Sequence, residues 1–147
     1  MSIESNLNYL FFDKALLERA LTRRAYADEQ KQGYSVLCKD QEAFCTLGDA
    51  VLKTVLADLL MASGCKTRAE ITQKKQILEC QKMLGEVACA VKVSSYIKLG
   101  KGEIKQNADR NPSVLAETLE ALIAAIYFDG GYEAAKRVVS CLFERLI

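Results

Sequence analysis

Two glutamates, Glu117 and Glu120, stand inside the most apolar stretch of the chain, NPSVLAETLEALIAAIYFDGG over residues 111–131. On a helix a spacing of three residues puts both carboxylates on one face. No Lys or Arg between residues 114 and 132 neutralises them from within the segment. Carboxylates in apolar surroundings are protonated, paired, or given a metal ion. A second apolar stretch, QEAFCTLGDAVLKTVLADLLM over residues 41–61, carries Asp49 at its middle beside Gly48. Glu42 lies two turns earlier on the same side, with Cys45 between them. If the two stretches pack together, Asp49, Glu117 and Glu120 make an all-oxygen set suited to Mg²⁺, a hard ion that keeps several waters. The plainer reading is an acidic stripe exposed on an otherwise buried helix, and these residues alone leave it open.

The remaining composition narrows the chemistry. The 147 residues contain no histidine, which removes imidazole acid–base and nucleophilic mechanisms. The cysteines at 38, 45, 65, 80, 89 and 141 form no C-x-x-C pair, so a zinc site is not indicated. They are expected to be reduced thiols, mostly buried, in a cytoplasmic protein. The longest apolar run, residues 121–128, is too short for a membrane span, and no signal peptide is visible. Net charge is +1, yet residues 66–105 hold nine Lys or Arg against four Asp or Glu. That basic segment, with Lys74, Lys75, Lys101 and Lys105, offers the sequence-independent phosphate affinity of a nucleic-acid binder. A solvated helical face is the equal alternative.

The elements that must position these residues are helical throughout. Asn111 followed by Pro112 starts a helix, with a side-chain cap and a fixed φ at the first helical position. Asp129-Gly130-Gly131 is the expected stop. Between them nearly every face is apolar, which predicts a buried helix. Gly48 inside a helix costs ~1 kcal/mol relative to Ala and implies close approach of another backbone. Further helices are expected near 3–10, over 14–21 with Asp13 as cap, from about 67 to 80, over 82–91, and over 133–146 with Val138, Val139, Leu142 and Phe143 inward. A short helix is expected near 95–99, and loops over 27–39 and 100–110. No alternating strand pattern is present. The chain is expected to be one all-α domain over 1–147.

With these stretches in hand, a resemblance can be named. TLGDAVL and LAETLEALIAAIYFDGG resemble the endonuclease domain of the ribonuclease III family. Three further blocks fall in the same order: ALTRRAY is similar to the family's A-L-T-H-R-S-Y, EITQKKQIL to its E-L-T-x-x-R-x-x-L, and YIKLGKGEIKQ with RNPS to its Y-L-x-L-G-K-G-E and R-x-P-S. Five ordered blocks run from about residue 12 to the last residue.

The resemblance implies the ribonuclease III helical fold and a metal-dependent endoribonuclease that hydrolyses phosphodiester bonds in double-stranded or structured RNA. It implies Mg²⁺, with Mn²⁺ as the alternative ion, and a symmetric homodimer whose valley takes the duplex. Matched residue by residue, Asp49, Glu117 and Glu120 fall on metal ligands and Glu42 on a further catalytic carboxylate. Arg23, Arg24, Lys74, Lys75, Lys101 and Lys105 are the expected RNA contacts, and Phe44 with Gly48 the expected dimer seam. No double-stranded-RNA-binding domain is expected, as in the small "mini" branch of the family. Five positions depart from the pattern: Cys45 stands where the family has a second Glu, Arg23 where it has His, Ala25 where it has Ser, Glu117 where it has Asp, and Arg68 where many members have an acidic residue. A thiol is soft and normally neutral, a poor Mg²⁺ ligand. These departures keep a second function in view, a catalytically weak or inactive relative that binds structured RNA.

Overall fold

The computed structural model describes residues 2–33 and 39–147. Eight α-helices follow one another there: α1 Ile3–Leu7, α2 Lys14–Ala20, α3 Arg24–Gly33, α4 Glu42–Ala62, α5 Arg68–Glu79, α6 Gln81–Ala90, α7 Lys101–Lys105 and α8 Pro112–Phe143. Short 3₁₀ turns occupy Val93–Ser95 and Ala108–Arg110. Among the described residues there is no strand, only an isolated parallel bridge between Thr22 and Lys98.

α8 is the axis of the fold. Its start is set locally: the Asn111 side chain accepts from the Ser113 N–H at 2.9 Å, and Pro112 takes the first helical position. Leu119, Ala121, Leu122, Ile123, Ala124, Ala125 and Ile126 are all at most 1% exposed, so the apolar run is buried on every side. α4 lies along it with Leu52, Val55, Leu56 and Leu60 in the core, and α6 and α2 pack on its other faces. The expected stop at 129–131 interrupts α8 without ending it. Gly131 has φ 84 and ψ −178, outside the helical region, and the helix resumes to bury Val138, Val139 and Phe143. Only glycine adopts that conformation at no steric cost. Asp129, just before the break, ties down the amino-terminal segment by accepting from the Tyr9 hydroxyl and the Phe12 and Asp13 N–H groups.

Several sequence expectations need correction. The loop expected over 27–39 is helical as far as Gly33, and its residues 34–38 lie outside the described ones. The loop over 100–110 contains α7 and a 3₁₀ turn, α7 being started by a Glu103 side chain that accepts from the Gly100 N–H. The short helix expected near 95–99 is the 3₁₀ turn Val93–Ser95. Cys80, Cys89 and Cys141 are exposed rather than buried; Cys65 is buried, and Cys38 lies outside the described residues. Among the described residues no helix is long and apolar enough to cross a membrane.

Candidate active site

Contact between α4 and α8 builds the site, and Gly48 sets how close they come. A Cβ on Gly48 would lie 1.7 Å from the carbonyl oxygen of Glu120. The two backbones therefore touch at this level, and Asp49, the next residue, is brought to Glu120. Their carboxyl groups are close enough to act on each other's charge. Burial, then the hydrogen bond and charge of Asp49, push the Glu120 carboxyl up to about 8. Burial also raises Asp49, but its bonds to Glu120 and Lys53 outweigh this and hold its carboxyl below the usual range. Near neutral pH the pair thus keeps one proton, held on the Glu120 side.

Glu117 sits one turn before Glu120 on α8 and faces another partner. Its Oε2 accepts from Arg23 Nη1 at 2.9 Å, and its Oε1 from the Ser113 hydroxyl at 3.3 Å. Arg23 reaches it from the junction of α2 and α3, which is held from two sides. The Arg23 N–H donates to the Lys98 carbonyl at 3.1 Å, and the Gln41 N–H donates to the Thr22 carbonyl at 2.9 Å. The same guanidinium also donates to Glu103 at 3.1 Å and to Gln41 Oε1 at 3.2 Å. Burial opposes its charge, but Glu117 and Glu103 outweigh that and raise the Arg23 pKa. The other two carboxylates have cations as well, Glu42 from Arg24 at 3.2 Å and Asp49 from Lys53 at 3.0 Å.

Cys45 lies between these groups and donates its Sγ–H to the Glu117 carbonyl oxygen at 3.2 Å. Burial, then the charges of Glu117 and Glu120, push its thiol up to about 12. It is neutral and contributes no anionic ligand.

Sequence and structure can be compared residue by residue. Asp49 and Glu120 meet as expected. Glu117 and Glu120 are half-buried at the edge of the helix contact rather than deeply buried. Glu117 is turned to Arg23, and among the described residues no three Asp, Glu, Cys or His side chains converge tightly enough to hold an ion. Phe44 and Gly48 are buried inside their own chain. Phe44 packs on Phe128 with ring centroids 5.4 Å apart and lies under Arg19, while Gly48 packs on α8. Of the basic candidates, Arg24, Lys101 and Lys105 are exposed and Arg23 is committed to ion pairs. Lys75 pairs with Glu79 and adds its charge beside Asp49, whereas Lys74 lines a separate cleft with Ile77 and Ile147. The expected basic surface is thus divided. Sequence reading missed the roles of Lys53, Gln41 and Glu103; only the i,i+4 spacing of Asp49 and Lys53 could have signalled one of them.

The donor set fits Mg²⁺ in a restricted way. Two carboxylates from different helices crowd together until they share a proton, which marks a place where a cation would relieve repulsion. Mg²⁺ is commonly held by one or two carboxylates with waters completing its octahedron.

The shared proton has a measurable consequence in the metal-free protein. Folded Glu120 keeps its proton up to about 8, against 4.5 for the free carboxyl. That contribution to stability is full below the lower value and is lost as pH rises through the upper one. The lowered Asp49 carboxyl acts oppositely, its contribution lost only as pH falls through the acid range. Glu120→Gln removes the alkaline loss. Discounted for solvent access, it is expected to stabilise the metal-free protein by about 1 kcal/mol at mildly alkaline pH and by little at mildly acidic pH. Urea unfolding of both proteins at the two pH values checks this, and equal stabilities at alkaline pH would contradict the shared proton.

Comparison with known proteins identifies the family. A family model described as ribonuclease-III-like matches residues 13–146. The ribonuclease 3 of Bordetella pertussis is 37% identical over 139 residues, covering 94% of this chain and 50% of that protein. The ribonuclease 3 of Clostridium kluyveri is 36% identical over 146 residues, covering 99% of this chain and 58% of that protein. The chain thus spans about half the length of the curated relatives it matches. Among solved structures, a nuclease domain of ribonuclease III from Campylobacter jejuni, described as flexible in a region involved in dimer formation, superposes with TM-score 0.86 at 27% identity, covering 99% of this chain and 96% of that one. With a family match across nearly its whole length and a nuclease-domain fold, the chain belongs to the ribonuclease-III-like family.

Proposed function

We propose that this chain is a ribonuclease III-type endonuclease unit, hydrolysing phosphodiester bonds in double-stranded RNA with Mg²⁺, or Mn²⁺ as the alternative ion. The observation that carries the reading is the Asp49–Glu120 pair, two carboxylates from different helices brought together at the contact of α4 and α8. These two residues would hold the ion, which when bound lowers the pKa of a bound water and takes up charge building on the phosphodiester. Glu42, in the first turn of α4 and paired with Arg24, is exposed and would serve as a further catalytic carboxylate. Arg24, Lys101 and Lys105 supply exposed positive charge for phosphates, a contact that reads the shape of an A-form duplex rather than its sequence. A cytoplasmic setting belongs to the same reading, and the 147 residues act as one catalytic unit within it.

Two copies are needed to embrace a duplex. With Phe44 and Gly48 inside the protomer, the seam moves to their exposed neighbours. Leu47 and Ala50 on α4 share a partly apolar cleft with Tyr127 on α8, and Phe128 beside Tyr127 is 55% exposed. The neutral Cys45 thiol favours the second reading, an RNA-binding relative that does not cut.

One experiment separates these. The purified protein is incubated with Mg²⁺ and labelled duplex RNA, single-stranded RNA or duplex DNA, and its mass is measured by sedimentation. The expected result is cleavage of duplex RNA alone by a species of twice the 16.3 kDa chain mass, little affected by salt because apolar burial is not screened. Duplex RNA bound but uncut would support the second reading, and a 16.3 kDa species would contradict the dimer.

A further inference from the structure

The site carboxylates are already provided with cations of the protein's own, but those cations are not alike. The Lys53–Asp49 and Arg24–Glu42 pairs join exposed side chains, and solvent screens such pairs to little. Arg23 is different. Its side chain is 20% exposed, its backbone is fixed by Lys98, and the guanidinium donates from Nε to Glu103 and from Nη1 to Gln41 as well as to Glu117. Ser113 fixes the second oxygen of Glu117, and the Cys45 thiol bonds the Glu117 carbonyl. A guanidinium does not lose its proton in proteins, so this charge is permanent.

We propose that Arg23 is a positioning residue that holds Glu117 as its counterion and so limits the protein's own ligands for a divalent cation to Asp49 and Glu120. The proposal rests on Asp49 and Glu120 being the cation site. It assigns the Arg23–Glu117 pair a function of its own, since the pair removes one carboxylate from the site and places a fixed positive charge beside it. A phosphate oxygen is the natural competitor for Arg23 Nη1, because a guanidinium fork matches phosphate as it matches carboxylate. A phosphodiester taking that nitrogen frees Glu117 to turn toward the cation. Nucleic-acid binding and cation binding then strengthen each other by the same factor.

The test is Mn²⁺ binding to the RNA-free protein, read by the loss of the free-ion paramagnetic resonance signal. Wild type, Arg23→Gln, the double variant Arg23→Gln/Glu117→Gln and Asp49→Asn are compared, with folding checked by circular dichroism. Arg23→Met, which keeps the apolar stem, replaces Arg23→Gln in both variants if the glutamine fails to fold. The expected result is Mn²⁺ binding roughly tenfold tighter in Arg23→Gln, as one fixed charge is removed and one carboxylate released near a dication. The double variant is expected to fall back close to wild type, because the released ligand is gone. A merely structural role for Arg23 would produce no such gain. Equal affinity of wild type and the Arg23 variant, with binding lost in Asp49→Asn, overturns the proposal and leaves the cation site standing. A gain kept in full by the double variant also overturns it, because Glu117 is then not what Arg23 withholds. Absence of Mn²⁺ binding in every variant overturns both the proposal and the site.

Discussion

Gly48→Ala is expected to destabilise the fold by at least about 3 kcal/mol, more than any other exchange of a single methyl in α4. The added carbon would lie 1.7 Å from the Glu120 carbonyl oxygen and 2.4 Å from its carbonyl carbon. Both atoms belong to the backbone of a buried helix, so no flexible side chain can move aside. α4 and α8 would have to part, loosening Val51, Leu52 and Val55 against the apolar run of α8. The same separation pulls Asp49 from Glu120, so stability and the site fail together. Urea unfolding gives the stability change. A Gly48→Ala protein as stable as wild type would show that the helix contact is not as tight as described.

That glycine also shows how far the sequence could be read. A glycine inside an apolar helix announces close approach of another backbone, and the approach is there. Its partner was not legible: the sequence left open whether α8 or a second subunit comes close, and the resemblance pointed to the second subunit. Helix starts at Asp13, Thr67 and Asn111 were legible because each depends on a cap within three residues. α3 and α7 were missed because both are short and polar, without an apolar stripe, and are held by contacts such as Glu29 accepting from the Lys101 N–H. Glu117 and Glu120 looked alike on one helix face. They differ because Arg23, 94 residues before Glu117, claims only the first. Pairing at that distance leaves no trace in local spacing.

The central claim is that Asp49 and Glu120 hold a divalent cation that does the cutting. Asp49→Asn keeps the size of the side chain and a hydrogen-bonding partner for Glu120 while removing the negative charge. Glu120→Gln likewise preserves the contact with Asp49. Both variants are expected to fold, since each replaces half of a proton-sharing pair by a neutral group of the same shape. Loss of an ion-holding carboxylate is expected to lower cleavage by on the order of a thousandfold or more. The direct measurement is the rate of duplex RNA cleavage by wild type, Asp49→Asn and Glu120→Gln, each in Mg²⁺, in excess chelator, and after Mg²⁺ is restored. The expected result is cleavage by wild type only, abolished by chelator and recovered with Mg²⁺. Undiminished wild-type cleavage in chelator, or wild-type rates from a folded Asp49→Asn protein, would contradict it.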